Sequence, residues 1–108
     1  GVEAAETPLV PGEFDLAQNY PNPFNPSTQI RYNIPTPSHV VVKIYNSAGQ
    51  EICILSQGPQ QSGIHTLRWD GQDTLGKPVA SGIYFCTLEA VTPEGKNFTQ
   101  SVKMLLLK

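Results

Sequence analysis

The chain has 108 residues and a formal net charge of -2, and its 10 prolines and 9 glycines make helix-breaking residues frequent. No stretch free of these breakers supplies the roughly 20 apolar residues of a transmembrane helix, and a bundle of long helices is excluded for the same reason. Lysine and arginine form no dense cluster, which argues against nucleic-acid binding. The composition indicates one small folded domain that is rich in turns.

The first 13 residues are acidic, contain prolines and show no hydrophobic period, as is typical of an interdomain linker. No basic region followed by an apolar run occurs there, so a signal peptide is not indicated. We therefore expect a linker at residues 1–13, a folded domain at residues 14–108, and a sequence that is a fragment of a longer chain.

Seven short segments of β-type residues follow, spaced at regular intervals with turn residues between them. A loop is expected from Gly58 to Gly63, and the last segment favours a strand over a short helix. This pattern predicts an all-β fold, an antiparallel β-sandwich of about seven strands of the immunoglobulin or fibronectin-III type. The predicted strands are Phe14–Gln18, Thr28–Ile34, His39–Asn46, Glu51–Leu55, Ile64–Trp69, Gly82–Val91 and Lys96–Lys108.

The residues that often carry chemistry form no recognisable enzyme motif. A nucleophile elbow, a zinc-protease helix, a P-loop and a dinucleotide fingerprint are all missing from the sequence. We therefore expect neither enzymatic activity nor a cofactor. Asp70 and Asp73 are weak Ca²⁺ candidates, because they lack the ligand spacing of an EF-hand and are better explained as turn residues.

Cys53 and Cys86 have no spacing typical of a zinc site. They could form a disulfide in an oxidising compartment or remain as two free, half-buried thiols, and the second interpretation is slightly favoured. The sequence leaves both open.

The segment Asn19–Pro26, which we name the proline segment, reads NYPNPFNP. Three prolines in alternation with other residues predict a polyproline II helix, which would place Asn19, Asn22 and Asn25 on one edge. The aromatic pair Tyr20 and Phe24 would hold the segment against the sandwich. It would act as a rigid lid over one end of the core or as a docking surface for a partner.

Several motifs together resemble the C-terminal sorting domain (type A) of the type IX secretion system. The resemblance covers about residues 14–108. It rests on LAQNYPNPFNPST at 16–28, IRYNIP at 30–35, VKIYNSAG at 42–49, GIHTLRWDG at 63–71, VASGIYF at 79–85 and KMLLLK at 103–108. The central part, at Trp69–Gly71 and Ser81-Gly82, is also similar to the Ig-like domain of flagellar hook-capping proteins.

The resemblance implies an Ig-like sandwich that ends a secreted cargo protein and acts as an address. Its partners would be the outer-membrane secretion machinery, a sortase-like peptidase that joins the cargo to lipopolysaccharide, and the fused N-terminal cargo. The domain, expected to be a monomer, would pass through the periplasm to the cell surface or the medium. The family motifs fall on these candidate recognition residues: Pro21, Asn22, Pro23, Phe24, Gly82, Tyr84, Lys103 and Lys108. Cys53 and Cys86 depart from the residues that the family commonly has there.

Two other classes of function stay open at this point. One is a carbohydrate-binding or adhesive module that uses Tyr20, Tyr45 or Trp69 as a stacking platform. The other is a structural spacer or an assembly domain of the hook-capping type.

Overall fold

The structure is a computed structural model that describes residues 8–108, so most of the predicted linker lies outside the described residues. Two antiparallel sheets face each other. One has the strand order β1-β2-β5 and the other the order β4-β3-β6-β7. The strands are β1 (Asp15–Leu16), β2 (Thr28–Ile34), β3 (Ser38–Asn46), β4 (Glu51–Gln60), β5 (Gly63–Trp69), β6 (Gly82–Val91) and β7 (Asn97–Leu106).

The core forms because apolar residues alternate with polar ones along the strands. Successive side chains of a strand point to opposite faces, so every second residue enters the space between the sheets. Each such side chain contributes roughly 1.5–3 kcal/mol through burial. The large aliphatic residues of β2, β3 and β6 that are fully buried are Ile30, Ile34, Val40, Val42, Ile44 and Leu88. The all-β, Ig-like sandwich is thereby confirmed.

Five of the seven predicted strands differ from the structure at their ends, four of them by only one or two residues at an end. β4 does not end at Leu55 but continues through Gly58 and Pro59 to Gln60, where a loop was expected. Pro59 has no backbone N–H to donate. It is tolerated because β4 lies at the edge of its sheet, where one side of the strand pairs with no second strand of the described sheet. The predicted first strand shrinks to Asp15–Leu16.

The last segment is a strand, as favoured, and the helical alternative is wrong. β7 pairs with β6 along its whole length, from Asn97 opposite Val91 to Leu106 opposite Gly82. The described residues contain no helix that is long and apolar enough to cross a membrane.

The sandwich has two ends that the topology makes distinct. At the end that we call the N-terminal end, β1 begins beside Asn33, and the β6–β7 turn at 92–96 lies near the start of β3. At the opposite end, the C-terminal end, are the proline segment, the long loop at 70–81 and the last residues after β7. The chain thus enters and leaves the described domain at opposite ends.

The two cysteines are free and buried. Both lie in register with Ile44, Cys53 on one neighbouring strand and Cys86 on the other. Two inter-strand spacings separate them by about 10 Å, which exceeds the reach of a disulfide. Burial raises the pKa of Cys86 to about 12, so this thiol stays protonated and unreactive.

Candidate functional site

The proline segment does not have the predicted conformation. The peptide bonds that precede Pro21, Pro23 and Pro26 are cis, so the all-trans polyproline II helix is not formed. The three asparagines share no edge either, since Asn19 is buried and Asn25 is exposed. The prediction of one amide-lined edge was therefore wrong.

Instead, the proline segment joins the two sheets at the C-terminal end. Tyr20 exchanges two backbone hydrogen bonds with Gln29 of β2, at 3.0 and 2.9 Å. Four residues later, Phe24 N–H donates to the Leu105 carbonyl (2.9 Å) and its own carbonyl accepts from Leu107 N–H (3.0 Å). The segment is thus an antiparallel neighbour of one sheet and a parallel neighbour of the other, and it closes this end of the core as the lid hypothesis expected.

A small buried network fixes the first turn of this segment. Asn19 Nδ2 donates to the Pro21 carbonyl (3.1 Å) and to Thr28 Oγ1 (3.0 Å), and Thr28 Oγ1 donates to the same carbonyl (2.8 Å). Gln18 Nε2 reaches Asn19 Oδ1 at 2.7 Å. Because buried polar groups are costly unless they are paired, this network specifies one geometry for the segment.

Side chains also hold the last strand in place. Asn22 Oδ1 accepts from Leu105 N–H (3.0 Å), and Gln18 Nε2 donates to the Lys103 carbonyl (2.6 Å). After the strand ends, Lys108 N–H donates to Ser81 Oγ (2.9 Å). The outer edge of β7 is therefore already occupied from Lys103 onward, and an added partner strand has no free backbone groups to pair with there.

Gly82 and Tyr84 shape the start of β6 beside these contacts. Gly82 has a φ of +152°, which side chains rarely adopt. Tyr84 is buried against Trp69 in an edge-to-face arrangement with centroids 5.2 Å apart, and its hydroxyl donates to the Ala80 carbonyl at 2.6 Å. Burial raises the pKa of Tyr84. The spacing Gly-x-Tyr therefore combines a glycine in a conformation that other residues rarely adopt with a tyrosine that is buried against Trp69.

An apolar groove of about 230 Å³ opens on the outer face of this corner. Its lining includes Pro23, Ile83, Leu105 and Lys103. Lys103 and Lys108 are exposed, and neither makes an ion pair with any of residues 8–108. The surface offers an apolar slot with uncompensated positive charge beside it.

The structure therefore brings the eight predicted recognition residues to one end, in two roles. Lys103 and Lys108 are exposed to solvent, with Pro21, Asn22, Pro23 and Gly82 half-buried. Phe24 is 2% exposed and Tyr84 is 6% exposed. These two aromatic residues position the surface and cannot serve as its contact points.

The weak Ca²⁺ candidates are accounted for by local hydrogen bonds. Asp73 Oδ1 accepts from Leu75 N–H (2.9 Å) and Lys77 N–H (3.0 Å), and Asp70 pairs with Arg68 at 2.6 Å. Within residues 8–108, no three metal-binding side chains converge.

Two glutamines were not anticipated from the sequence. Gln18 ties the proline segment to β7, and the side chain of Gln100 forms a pair of 3.1 Å hydrogen bonds with the backbone of Leu16. The available signal was Gln100 itself, a polar residue at an inward position of an alternating strand. Such a residue needs a partner when it is not exposed.

Comparison with known families gives a clear result once this geometry is known. The family model for the FlgD Ig-like domain matches residues 25–94, which is more than half of the chain. The chain belongs to this family. The FlgD Ig-like domain match includes β2 to β6 and leaves out most of the proline segment and the last strand. No curated protein matches the sequence.

Solved structures with a similar fold include FlgD of P. aeruginosa, at 24% identity and a TM-score of 0.60 over 73% of this chain and 61% of that one. PorU of Porphyromonas gingivalis, described as dimeric and latent, matches at 21% identity and a TM-score of 0.65, over 82% of this chain and 9% of PorU. FlgD of Xanthomonas campestris, described in connection with the hook capping essential for flagellar assembly, matches at 20% identity and a TM-score of 0.62, over 86% of this chain and 69% of that one. The chain thus corresponds to part of each protein.

Proposed function

We propose that this Ig-like domain is a sorting signal of the type IX secretion system that directs a fused cargo across the outer membrane. The observation that carries the proposal is the convergence of the resembling motifs. Residues from the proline segment, the start of β6 and the end of β7 are distant in sequence, yet they form one surface at the C-terminal end.

The position of this surface suits an address. A cargo fused before residue 14 would lie at the N-terminal end, where β1 begins beside Asn33. Cargo and the secretion machinery would then contact opposite ends of the sandwich. A peptidase that cuts before Phe14 would act far from the recognition surface.

The chemistry of the surface indicates how a partner would bind. An apolar side chain of the partner would fill the groove at Pro23 and Ile83, while acidic groups around it would face Lys103 and Lys108. Charge pairs at the rim of an interface mainly affect the association rate and specificity, and apolar anchors at its centre provide affinity.

Charge reversal tests this proposal without disturbing the core. The double variant Lys103→Glu with Lys108→Glu, fused after a periplasmic reporter in a host with the secretion system, should leave most of the reporter in the periplasm. The matched control is Lys96→Glu, an exposed lysine at the N-terminal end, which should be exported like the parent. Equal export of both variants would contradict the proposed role of the two lysines.

Deletion of the tail is a poorer test of the same idea. Removing Lys103–Lys108 also removes Met104 and Leu106, which are fully buried. Loss of two such residues costs about 4–10 kcal/mol, more than many domains of this size can tolerate. Failure of a truncated domain to direct export would therefore not separate recognition from folding.

Family membership supports a second candidate, an assembly or spacer domain of the FlgD type. In that case the reporter would be exported no better with the domain than without it. The carbohydrate-binding alternative is weakened by Trp69, which is 2% exposed and offers no ring face for stacking.

A further inference from the structure

Within the described residues, the outer edge of β5 has no neighbouring strand in its sheet. Ile64, Thr66 and Arg68 are exposed, and Ile64 is 64% exposed. Unpaired strand edges readily accept another strand, and proteins usually protect them.

The hydrogen-bond pattern of the sheet shows which backbone groups are free. Gln29 and Arg31 of β2 bond to the β1 side, so the even-numbered residues of β2 face β5. Their opposite residues on β5 are the odd-numbered ones. The N–H and C=O groups of Ile64, Thr66 and Arg68 therefore point away from the sheet, and none of them has a hydrogen-bond partner within residues 8–108.

The other three edge strands of the described domain are each covered over part of their length. Leu16 of β1 is bonded to the side chain of Gln100, and β7 is covered from Lys103 onward. In β4, the Ile52 carbonyl accepts two hydrogen bonds from Thr74, and two irregularities interrupt the pairing with β3. Such bulges twist an edge away from further pairing. Within residues 8–108, none of the three outward residues of β5 has such a contact on its backbone.

A groove of about 440 Å³ adjoins the open edge at its C-terminal end. Its charged lining residues are Glu51, Asp70 and Asp73 against Arg68. Arg68 pairs with Asp70 and Lys43 pairs with Glu51, which leaves the negative charge of Asp73 without an ion-pair partner in the described residues. That charge is felt inside the groove. Burial first, and then Asp73 and Glu51, raise the pKa of the Cys53 thiol in its wall to about 11.

We propose that the β5 edge and this groove bind an extended strand of a partner protein, antiparallel to β5, with a lysine or arginine at its N-terminal end. The partner's backbone would pair with Ile64, Thr66 and Arg68, and its basic side chain would enter the groove. Antiparallel pairing is the more stable arrangement, and it places the N-terminus of the added strand over the acidic lining. This surface is separate from the recognition surface and independent of the sorting role.

The experiment uses the ¹⁵N-labelled chain and an acetylated, amidated peptide as long as β5, 7 residues, with one lysine followed by alternating valine and serine. The free domain should show fast amide exchange at Ile64, Thr66 and Arg68. Saturating peptide should slow exchange at these three amides by about tenfold or more, with little change at His65 and Leu67, which already face β2.

Two matched comparisons make the result specific. Thr66→Pro removes one outward N–H at an edge position where proline is tolerated, and it should weaken peptide binding about tenfold. Thr66→Val keeps that N–H and should bind like the parent. A peptide with glutamate in place of lysine should bind several-fold more weakly.

Several outcomes would overturn the proposal. One is an absence of binding, and another is equal binding to the proline and valine variants with both folded. Protection of the three amides in the free domain that grows with concentration would assign the edge to a second copy of this chain.

Discussion

The two ends of the sandwich are built in different ways. At the N-terminal end, closure is mainly by short turns: Thr92 and Lys96 pair across the β6–β7 turn, and Ser38 bonds to Thr36. Distant contacts there include the stack of Phe14 on Phe98 and an exposed hydrogen bond from Asn33 to Glu13. At the C-terminal end, three distant parts of the chain are tied together through side chains that bond to backbone, such as Asn22 to Leu105 and Ser81 to Lys108. A plain sandwich needs only the first kind of closure. The second kind specifies one arrangement of surface residues, as a recognition surface requires.

The largest expected effect on stability comes from replacing one phenylalanine at each end of the sandwich. Phe24 is 2% exposed and lies 5.6 Å from Trp69 between ring centroids, so Phe24→Ala should reduce the free energy of unfolding by about 3–5 kcal/mol. Phe14 is only half-buried and stacks on Phe98 at 5.1 Å, so Phe14→Ala should cost about 1–2 kcal/mol.

Urea unfolding of the two variants measures the comparison directly. Equal losses of unfolding free energy at the two positions would show that the two phenylalanines contribute equally to stability. A change in the denaturant slope for the Phe24 variant would instead reveal that this end had opened in the folded state.

Alanine substitutions at one glycine of each end separate the cost of a left-handed backbone conformation from the cost of steric crowding. Gly71 (φ +70°) and Gly95 (φ +87°) both have left-handed conformations, so alanine at either position costs about 1–2 kcal/mol. A Cβ at Gly71 would also lie 3.0 Å from the Pro26 carbonyl oxygen, whereas a Cβ at Gly95 meets open space. Thermal unfolding should show Gly71→Ala as the less stable variant by roughly a further 1 kcal/mol, and the reverse order would contradict the crowded arrangement of this end.

Much of the sandwich was predictable because its signal is local. Alternation along β2, β3 and β6 specifies which face is buried, as Ile30, Val42 and Leu88 illustrate. The turn Pro93-Glu94-Gly95 has the expected residue types, and Gly95 N–H bonds to the Thr92 carbonyl at 2.9 Å. No distant part of the chain is needed to explain these features.

The C-terminal end was predictable only in part, because its geometry depends on distant contacts. Motifs indicated that Pro21 to Phe24, Gly82 and Lys103 matter, but spacing along the chain could not reveal that Asn22 bonds to β7. Proline permits both cis and trans peptide bonds, so the sequence could not exclude the polyproline II helix. The extension of β4 past Pro59 depends on its edge position, which is a property of the whole sheet.

The smallest effect concerns one hydrogen bond at each end. Asn22→Ala leaves the half-buried Leu105 N–H without its acceptor and should lower the free energy of unfolding by about 1 kcal/mol. Asn33→Ala removes an exposed hydrogen bond to the Glu13 carbonyl and should cost less than about 0.5 kcal/mol. Asn22→Asp keeps an acceptor oxygen and should restore most of the loss.

Amide exchange at Leu105 gives the local readout. If the Asn22 bond holds the end of β7 in place, this amide should exchange faster in Asn22→Ala and not in Asn33→Ala. Unchanged exchange at Leu105 would mean that other contacts, such as those of Phe24 and Gln18, hold the strand, and the asparagine would then matter for the shape of the surface rather than for its stability.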